Sequence, residues 1–305
     1  MTEITTPTTS GTLPRVWRFL QKPWQEKTRS FYFRWIRIVP GIPVPIRLPF
    51  GGWWLARNDY VGASLLYGEL ERNEYGVVKH FLRPGMTFLD VGAHQGYYTL
   101  LASRAVGSGG RVLAFEPSPR ERNRLRMHLR LNRCKNVEVE DCALGDSRSE
   151  GQLHVVLGTE SGCNSLRKPN VQQETVQISV RIEQLDWILR KQQIDHVDFV
   201  KLDVEGAELS VLKGAADLLQ RRPRPVMLVE VQDVRTKPWG YSAKEILHYL
   251  ANLDYAWFAP LPGPQLHEID IAQAAYDGNF VAVPEERIRL SEDVILRADR
   301  KSIHR

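Results

Sequence analysis

The chain has 305 residues, of which 43% are hydrophobic and 25% are charged. This composition is ordinary for a folded protein and supports a core that needs neither disulfides nor metals. The formal net charge of +5 permits a phosphate-bearing or membrane-surface partner without requiring one.

The cysteines and the apolar runs limit the class of protein further. There are three cysteines and no C-x-x-C pair, which argues against a disulfide framework and a zinc finger and fits a reducing compartment. The chain has no apolar run long enough for a membrane-spanning helix, and its N-terminus lacks a secretion signal pattern. We therefore expect a cytoplasmic location.

The first sixty residues differ from the rest. Residues 1–14 are rich in Thr, Ser and Pro, which predicts disorder. Residues 15–40 carry seven Lys or Arg and seven aromatic residues against one acid. Such a mixture is typical of a segment that contacts a membrane surface, so peripheral membrane contact through 15–40 is predicted. The alternative is a helix that packs on the domain and keeps its basic side in water.

After a helical pattern over residues 61–82, strand and helix patterns alternate. The predicted strands are 87–89, 111–115, 137–140, 151–157, 176–180, 197–202, 225–231 and 279–283. The predicted helices are 97–105, 119–132, 182–192, 207–219 and 243–253. This alternation predicts an α/β, doubly wound, mostly parallel sheet. The expected organisation is a disordered N-terminus (1–14), a basic aromatic extension (15–60), a folded domain (61–285) and a C-terminal tail (286–305).

The first predicted strand runs into an acid and two glycines, Asp90, Gly92 and Gly96, before a helix. Gly92 permits a sharp turn and close approach to a ligand, and Gly96 permits close passage at the helix start. The spacing is not the G-x-G-x-x-G that cradles a pyrophosphate. S-adenosylmethionine (SAM) has no phosphate but carries a cationic amine and sulfonium, which suit Asp90. The loop is therefore interpreted as a SAM site, with a simple turn as the alternative.

Acids also follow the second and third predicted strands. Glu116 ends the second strand, where a carboxylate can accept hydrogen bonds from both hydroxyls of a ribose. Asp141 ends the third strand and is the choice for the adenine amino group. Cys142 would then line the pocket as a small apolar wall. Glu116 together with Asp90 strengthens the interpretation as a nucleoside site.

A second acidic group surrounds a later strand. Asp203 ends this strand, Glu205 and Glu208 follow at the start of a helix, and Glu230 ends the next strand. Acids in a first helical turn also suit the helix dipole, which explains Glu208 without a ligand. Burying so many acids is costly unless a cation is bound, and that cation is the sulfonium, an acceptor group or a metal ion.

These segments together resemble the FkbM-type SAM-dependent methyltransferases. The resemblance rests on Leu89–Thr99, Ala114–Pro117, Ala143–Asp146 and Lys201–Glu208 followed by Val211–Ala215, and it covers roughly residues 60–235. It implies a Rossmann-like class I SAM methyltransferase fold with an antiparallel strand near the C-terminal edge of the sheet. It also implies O-methylation of a hydroxyl on a sugar, glycan or polyketide-type acceptor.

The resemblance further implies that Asp90, Gly92, Glu116 and Asp203 face the cofactor pocket. One departure stands in the first loop, where the family usually has Asn and this chain has His94. His94 either repeats the hydrogen bonds of that Asn or adds proton chemistry. Residues 15–55 and the chain beyond about 235 lie outside the match and would carry acceptor choice.

Methyl transfer to a hydroxyl needs alignment and a base. The candidate bases are His94, Asp203, Glu205, Glu208 and Glu230. The acids are expected to serve the sulfonium or the acceptor, so no metal ligand is assigned. A divalent ion that acidifies the hydroxyl is the alternative.

Two other functions fit parts of the sequence. A NAD-dependent oxidoreductase would share the architecture, but the missing G-x-G-x-x-G counts against it. A nucleic-acid-binding methyltransferase is suggested by four arginines at helical spacing, Arg122, Arg126, Arg130 and Arg133. A solvated helix face is the commoner cause of such a stripe, so no nucleic acid partner is expected.

Overall fold

A computed structural model of the chain describes residues 31–35, 38–39, 41–272, 275–291 and 293–296. The predictions for residues 1–30, including the disordered N-terminus and most of the basic aromatic segment, lie outside these residues. So does the end of the predicted tail.

The described residues include fourteen strands and ten α-helices, besides the helical residues 31–35. The strands are β1 (Val44–Arg47), β2 (Trp53–Ala56), β3 (Thr87–Val91), β4 (Arg111–Phe115), β5 (Val137–Glu140), β6 (Ala143–Leu144), β7 (Ser149–Val156), β8 (Thr175–Glu183), β9 (Phe199–Leu202), β10 (Val226–Gln232), β11 (Tyr255–Pro260), β12 (Leu266–Glu268), β13 (Asp277–Pro284) and β14 (Ile295–Leu296). The helices are α1 (Tyr60–Tyr67), α2 (Arg72–Phe81), α3 (Tyr97–Val106), α4 (Pro119–Leu131), α5 (Leu185–Lys191), α6 (Glu208–Lys213), α7 (Ala216–Gln220), α8 (Asp233–Thr236), α9 (Lys244–Ala251) and α10 (Glu285–Ile288). Short 3₁₀ turns lie at Ser161–Cys163, Lys237–Trp239 and Arg289–Ser291.

Nine of these described strands form one mixed sheet in the order β14-β12-β11-β13-β10-β9-β3-β4-β5. The strands from β10 to β5 are parallel, and β13 lies antiparallel between β10 and β11. The chain winds outward from β3 to β5 on one side and from β9 to β10 on the other. The order therefore reverses between β3 and β9, where α/β sheets bind ligands.

The apolar side chains of the central strands alternate between the two faces of the sheet. On one face Leu89, Val200 and Val229 pack under α5, α6, α7 and α9. On the other face Phe88 and Phe199 pack under α2, α3 and α4. Both faces are covered, which explains why these strands are almost continuously apolar.

The predicted fold is confirmed, including the antiparallel strand near the C-terminal edge. Two predicted helices are each broken in two. The pattern over 61–82 forms α1 and α2, because Gly68 adopts a left-handed conformation and ends α1. The pattern over 207–219 forms α6 and α7, with the chain turning at Gly214.

The chain between β5 and α5 leaves the main sheet. There β6, β7 and β8 form a separate three-stranded sheet in the order β6-β8-β7. The strand β8 continues to Glu183, so the helix predicted from residue 182 begins only at Leu185. This small sheet carries the 3₁₀ turn at Ser161–Cys163 to the ligand edge of the main sheet.

The described part of the N-terminal segment packs on the domain. Tyr32, Leu48 and Trp54 are buried in the same core as α2, α3 and α4. The backbone amide of Leu55 donates to Nε2 of His128 on α4, at 3.2 Å. Among the described residues, the structure has no helix of the length and hydropathy that crossing a membrane requires.

Candidate active site

The loop after β3 passes so close to the end of β9 that only glycine fits at its first position. Gly92 has a φ of +82°, and a Cβ there would lie 1.7 Å from the carbonyl oxygen of Asp203. At the other end of the loop Gly96 has a φ of +93°, and a Cβ would lie 2.3 Å from the side chain of Leu125. The predicted steric role of both glycines therefore has a definite cause in the packing.

Glu116 joins this loop to the next one. Its Oε2 accepts a hydrogen bond from the amide of His94, and its Oε1 accepts one from the amide of Ser118, both at 2.8 Å. Burial and nearby Glu121 raise the pKa of Glu116 to about 8. Each carboxylate oxygen keeps a second lone pair, so Glu116 can still accept bonds from ribose hydroxyls. It lines the cavity described below.

The side chain of Lys201 holds the loop after β3 in place. Its Nζ donates to the carbonyl of Gly92 at 2.8 Å and lies 3.1 Å from Oδ2 of Asp203 and 4.0 Å from Oδ1 of Asp90. Asp90 is fully buried, also accepts a hydrogen bond from Thr99, and has a pKa raised mainly by burial. Asp90 therefore supports the loop from beneath and does not line the cavity.

A cavity of about 730 Å³ opens at the carboxyl ends of β3, β4, β9 and β10. This volume lies within the range of small-molecule sites and leaves room for a second molecule beside a nucleoside. Gly92, His94, Glu116 and Cys142 line one part, and Asp203, Glu205 and Glu230 line another. The structure thus brings these predicted residues to one cavity.

Four predicted residues do not line it: Asp90 and Gly96, described above, and Asp141 and Glu208. Asp141 was expected to contact adenine, but its side chain is half exposed and forms an ion pair with Arg181 on β8. Glu208 was expected among the catalytic acids, but its Oε1 accepts hydrogen bonds from the amides of Val204 and Gly206. Glu208 therefore closes the turn before α6, which is the structural alternative for an acid at a helix start.

The remaining acids form a tight cluster. One carboxylate oxygen from each of Asp203, Glu205 and Glu230 lies within 4.8 Å of the other two, a spacing that could hold a metal ion. Two of the three already have a cationic neighbour. Asp203 pairs with Lys201, and Oε2 of Glu205 lies 2.7 Å from Nε of Arg235 on α8.

Glu230 is different, because among the described residues it forms no salt bridge and its buried Oε2 has no hydrogen-bond partner. Burial and the neighbouring carboxylates hold the pKa of Glu230 well above its usual range. Burial also raises the pKa of Glu205, to about 8. Glu230 therefore favours its protonated form more than a free carboxyl group does, and in that form it can donate a hydrogen bond.

His94 lines the same part of the cavity as Gly92 and Glu116. Its backbone is left-handed, with a φ of +49°, and its Nε2 lies 3.2 Å from Oγ of Ser161. Burial lowers the pKa of His94, so the ring is neutral at pH 7. The side chain bridges the loop to the small sheet, as an Asn at this position could do by hydrogen bonding.

The sequence did not indicate several residues that line the cavity. Glu71 reaches it from the start of α2 and accepts a hydrogen bond from the hydroxyl of Tyr98 at 2.5 Å. Burial raises the pKa of Glu71 to about 7. Trp54 and Tyr60 also line the cavity from the N-terminal side. The only sequence signal for Glu71 was its place within the helical pattern over residues 61–82, which suits a solvated helix face equally well.

The residues present fit SAM. The loop at Gly92 gives close access without a side chain, Glu116 offers acceptors for a diol, and the acid cluster suits a sulfonium cation. A doubly wound sheet of this order with these loops is that of the class I SAM-dependent methyltransferases.

The family assignment follows from sequence. The family described as the methyltransferase FkbM domain matches residues 90–256, and the chain belongs to this family. The NAD-dependent oxidoreductase is thereby set aside.

Curated relatives agree in class. The chain is 27% identical over 147 residues to methyltransferase 1 of Beauveria bassiana, covering 42% of this chain and 58% of that protein. It is 29% identical over 155 residues to methyltransferase sdnD of Sordaria araneosa, covering 41% and 59%. The chain thus spans less than two thirds of the length of either relative.

A solved structure of the methyltransferase FkbM from Methylobacillus flagellatus KT is also similar. It is 18% identical, covers 75% of this chain and 56% of that chain, and has a TM-score of 0.41.

Proposed function

We propose that this methyltransferase acts on a hydroxyl oxygen of a sugar, glycan or polyketide-type acceptor. SAM supplies an electrophilic methyl group on a sulfonium. The chain must then bind the acceptor beside the cofactor, align its oxygen and take its proton. The observation that carries the proposal is the carboxylate cluster on the cavity wall at the ends of β9 and β10.

The polar lining favours a polyhydroxylated acceptor. Asn170, Gln232 and Asn279 offer amide donors and acceptors around the cluster, and Trp54 and Tyr60 offer rings that can lie against a sugar face. An acceptor with several hydroxyls would satisfy these groups, whereas a purely apolar acceptor would leave them without partners.

Asp203 is the best placed of the acids to take the hydroxyl proton. Its side chain is more exposed than those of Glu205 and Glu230. Glu205 is engaged with Arg235, and burial favours the protonated form of Glu230. Lys201 at 3.1 Å keeps Asp203 oriented and neutralises it before the proton arrives.

Incubation with methyl-labelled SAM and a panel of acceptors tests the proposal. The panel includes sugars, glycosides and polyketide lactones, with amines and thiols for comparison. We expect label on a hydroxyl oxygen, located by mass spectrometry and NMR. Label confined to nitrogen, sulfur or carbon would contradict O-methylation.

The best acceptor then serves to test the role of Asp203. We expect Asp203→Asn to lower kcat by about 10²–10⁴-fold, the usual contribution of a general base, with little change in SAM binding. Asp217→Asn is the matched control, because Asp217 is an exposed acid that pairs with Arg190 away from the cavity. Equal turnover in both variants would remove Asp203 from the mechanism.

A further inference from the structure

Exposed apolar side chains are concentrated at the N-terminal end of the described chain. Of the eleven large hydrophobic side chains exposed among the described residues, six lie between residues 31 and 67. Phe31, Ile38 and Ile42 are 57%, 73% and 52% exposed. Single exposed apolar residues are normal on a protein surface, but such concentration in one short segment is not.

Three of these residues lie close to the half-buried Trp35 and form one surface with it. The rings of Phe31 and Trp35 stack with centroids 5.8 Å apart, and Nε1 of Trp35 donates to the carbonyl of Ile42 at 3.3 Å. The amide of Ile42 donates to the carbonyl of Val39, next to Ile38. Phe31, Trp35, Ile38 and Ile42 are called the N-terminal apolar surface below.

The segment is anchored to the domain, so the exposure of this surface is a property of the fold. Tyr32, next to Phe31, is 1% exposed, and its hydroxyl donates to the carbonyl of Arg57. A Cβ at Gly62 would lie 2.7 Å from that hydroxyl, which shows how closely α1 packs on Tyr32. Tyr32 faces the core while Phe31 faces outward.

Two exposed or surface cations lie in the same segment of the chain. Arg34 is exposed between Phe31 and Trp35, and Arg47 on β1 lies over the exposed ring of Trp53, with Cζ 4.9 Å from the ring centroid. The sequence immediately before it adds Arg15, Arg18, Lys22, Lys27 and Arg29 against Glu26 alone. Aromatic and aliphatic side chains among cations match the headgroup region of a bilayer with anionic lipid.

We propose that the N-terminal apolar surface and its basic neighbours bind the surface of an anionic membrane. Each Lys or Arg near such a surface contributes about 1 kcal/mol, and the apolar side chains add burial among the acyl chains. The same N-terminal segment supplies Trp54 and the exposed Tyr60 to the cavity. Docking through this segment places the membrane on the side of the cavity that these residues line.

Flotation of the full chain with vesicles tests membrane binding without any acceptor. We expect the protein to float with phosphatidylcholine vesicles that contain about 30% phosphatidylglycerol, a strongly anionic surface. Flotation should fall with pure phosphatidylcholine and in about 0.5 M NaCl, because salt screens the charges.

Paired variants locate the contact. We expect Ile38→Asp with Ile42→Asp to lower partitioning at least 10-fold, since both side chains are exposed and the fold does not need them. Leu157→Asp with Val176→Asp is the matched control, because these residues are also exposed but lie outside the N-terminal segment. Circular dichroism checks that all variants are folded.

Three outcomes would overturn the proposal. The first is a wild-type chain that does not float with anionic vesicles. The second is equal loss of flotation in the control pair. The third is a dimer in sedimentation velocity that the Ile38 and Ile42 changes dissociate while flotation is unchanged, which would assign the surface to a second copy of the chain.

Discussion

Glu116 shows how one side chain can serve both the protein and its ligand. Its two oxygens take the amides of His94 and Ser118 and so hold the loops after β3 and β4 at a fixed separation. The side chain also lines the cavity, and each oxygen keeps a second lone pair for a ligand. A change at Glu116 should therefore affect cofactor binding in two ways, by loosening the two loops and by removing a direct contact to the ligand.

We expect Glu116→Ala to weaken SAM binding by about 1–3 kcal/mol, because the hydrogen bonds of this carboxyl group to the ribose and to the two loop amides are lost. Isothermal titration calorimetry measures this directly. Glu138→Ala is the control, since Glu138 lies on β5 and pairs with Arg111 outside the cavity. An unchanged affinity in folded Glu116→Ala would refute the assignment.

The acid cluster can reach charge balance without a metal ion. Lys201 compensates Asp203, and burial favours the protonated, neutral forms of Glu205 and Glu230, with Arg235 beside Glu205. A divalent ion would have to displace these cations or approach them closely, at an electrostatic cost.

We therefore expect calorimetric titration with Mg²⁺ or Mn²⁺ to show no binding at millimolar ion, and EDTA to leave turnover unchanged. Arg235→Met is the comparison variant. It removes the cation beside Glu205, so this variant should bind a divalent ion more readily than the wild type does. Binding by the wild type that Glu230→Gln abolishes would establish a metal site and contradict the prediction.

At the scale of elements, the loop between β3 and α3 depends on a backbone conformation that side chains disfavour. Gly92 faces the carbonyl of Asp203, so the chain just beyond β3 passes directly against the chain just beyond β9. The loop between β3 and α3 and the acid cluster therefore belong to one rigid edge of the main sheet.

Gly92→Ala should lower the free energy of unfolding by more than about 2 kcal/mol, since a left-handed residue costs about 1–2 kcal/mol and the new Cβ also clashes. Urea denaturation measures the loss. Gly109→Ala is the matched control, because a Cβ at Gly109 has no neighbour within 4 Å. Equal stability of the two variants would show that the edge can rearrange.

The sequence predicted those parts of the site that depend on local pattern. Asp203 and Glu230 could be placed because an apolar run precedes each of them and parallel strands share one edge, although β10 continues past Glu230 to Gln232. Asp141 could not, since its partner Arg181 lies forty residues away on a strand of another sheet. Glu71 was missed for a similar reason, because its partner Tyr98 belongs to a different helix. Long-range side-chain pairing leaves no periodic signal.

The fold, like the site, could be predicted where it depends on local sequence pattern and not where it depends on long-range pairing. Continuous apolar strands and amphipathic helices predicted the doubly wound core. The separate sheet of β6, β7 and β8 was not distinguished, because short strands carry no mark of which neighbour they will pair with. The breaks at Gly68 and Gly214 were missed since isolated glycines also occur within helices.

At the scale of the whole molecule, the cavity concentrates carboxyls that resist ionisation. Burial raises the pKa of Glu71 and Glu208 to about 7 and of Glu116 and Glu205 to about 8. The unfolded chain ionises the same groups at ordinary carboxyl pKa values. The folded state therefore holds protons that the unfolded state has lost.

It follows that the free energy of unfolding falls as the pH rises from 7 to 9, because stability from a raised carboxyl pKa is lost as the pH passes that pKa. One pKa unit corresponds to about 1.4 kcal/mol, so we expect a fall of at least that size in urea denaturation of the ligand-free protein. Buried His94 and His128 do not oppose it, as both have lowered pKa values and are neutral above pH 7.

Glu230→Gln should make this pH dependence shallower, because it removes one of the carboxyl groups whose pKa the fold raises. Glu138→Gln, an exposed acid, should leave it unchanged. Stability that is constant or rises between pH 7 and 9 would show that the cavity carboxyls ionise without cost.

The position of β13 has a consequence for synthesis on the ribosome. β13 pairs on one side with β10 and on the other with β11, yet both are translated before it. At about 5–20 residues per second, the edge of β10 waits several seconds for its neighbour while residues 233–276 are added. During that interval an apolar strand edge is open to other nascent chains on the same polysome. Chains arrested before residue 277 should therefore bind a chaperone or aggregate, whereas chains released beyond residue 296 should not.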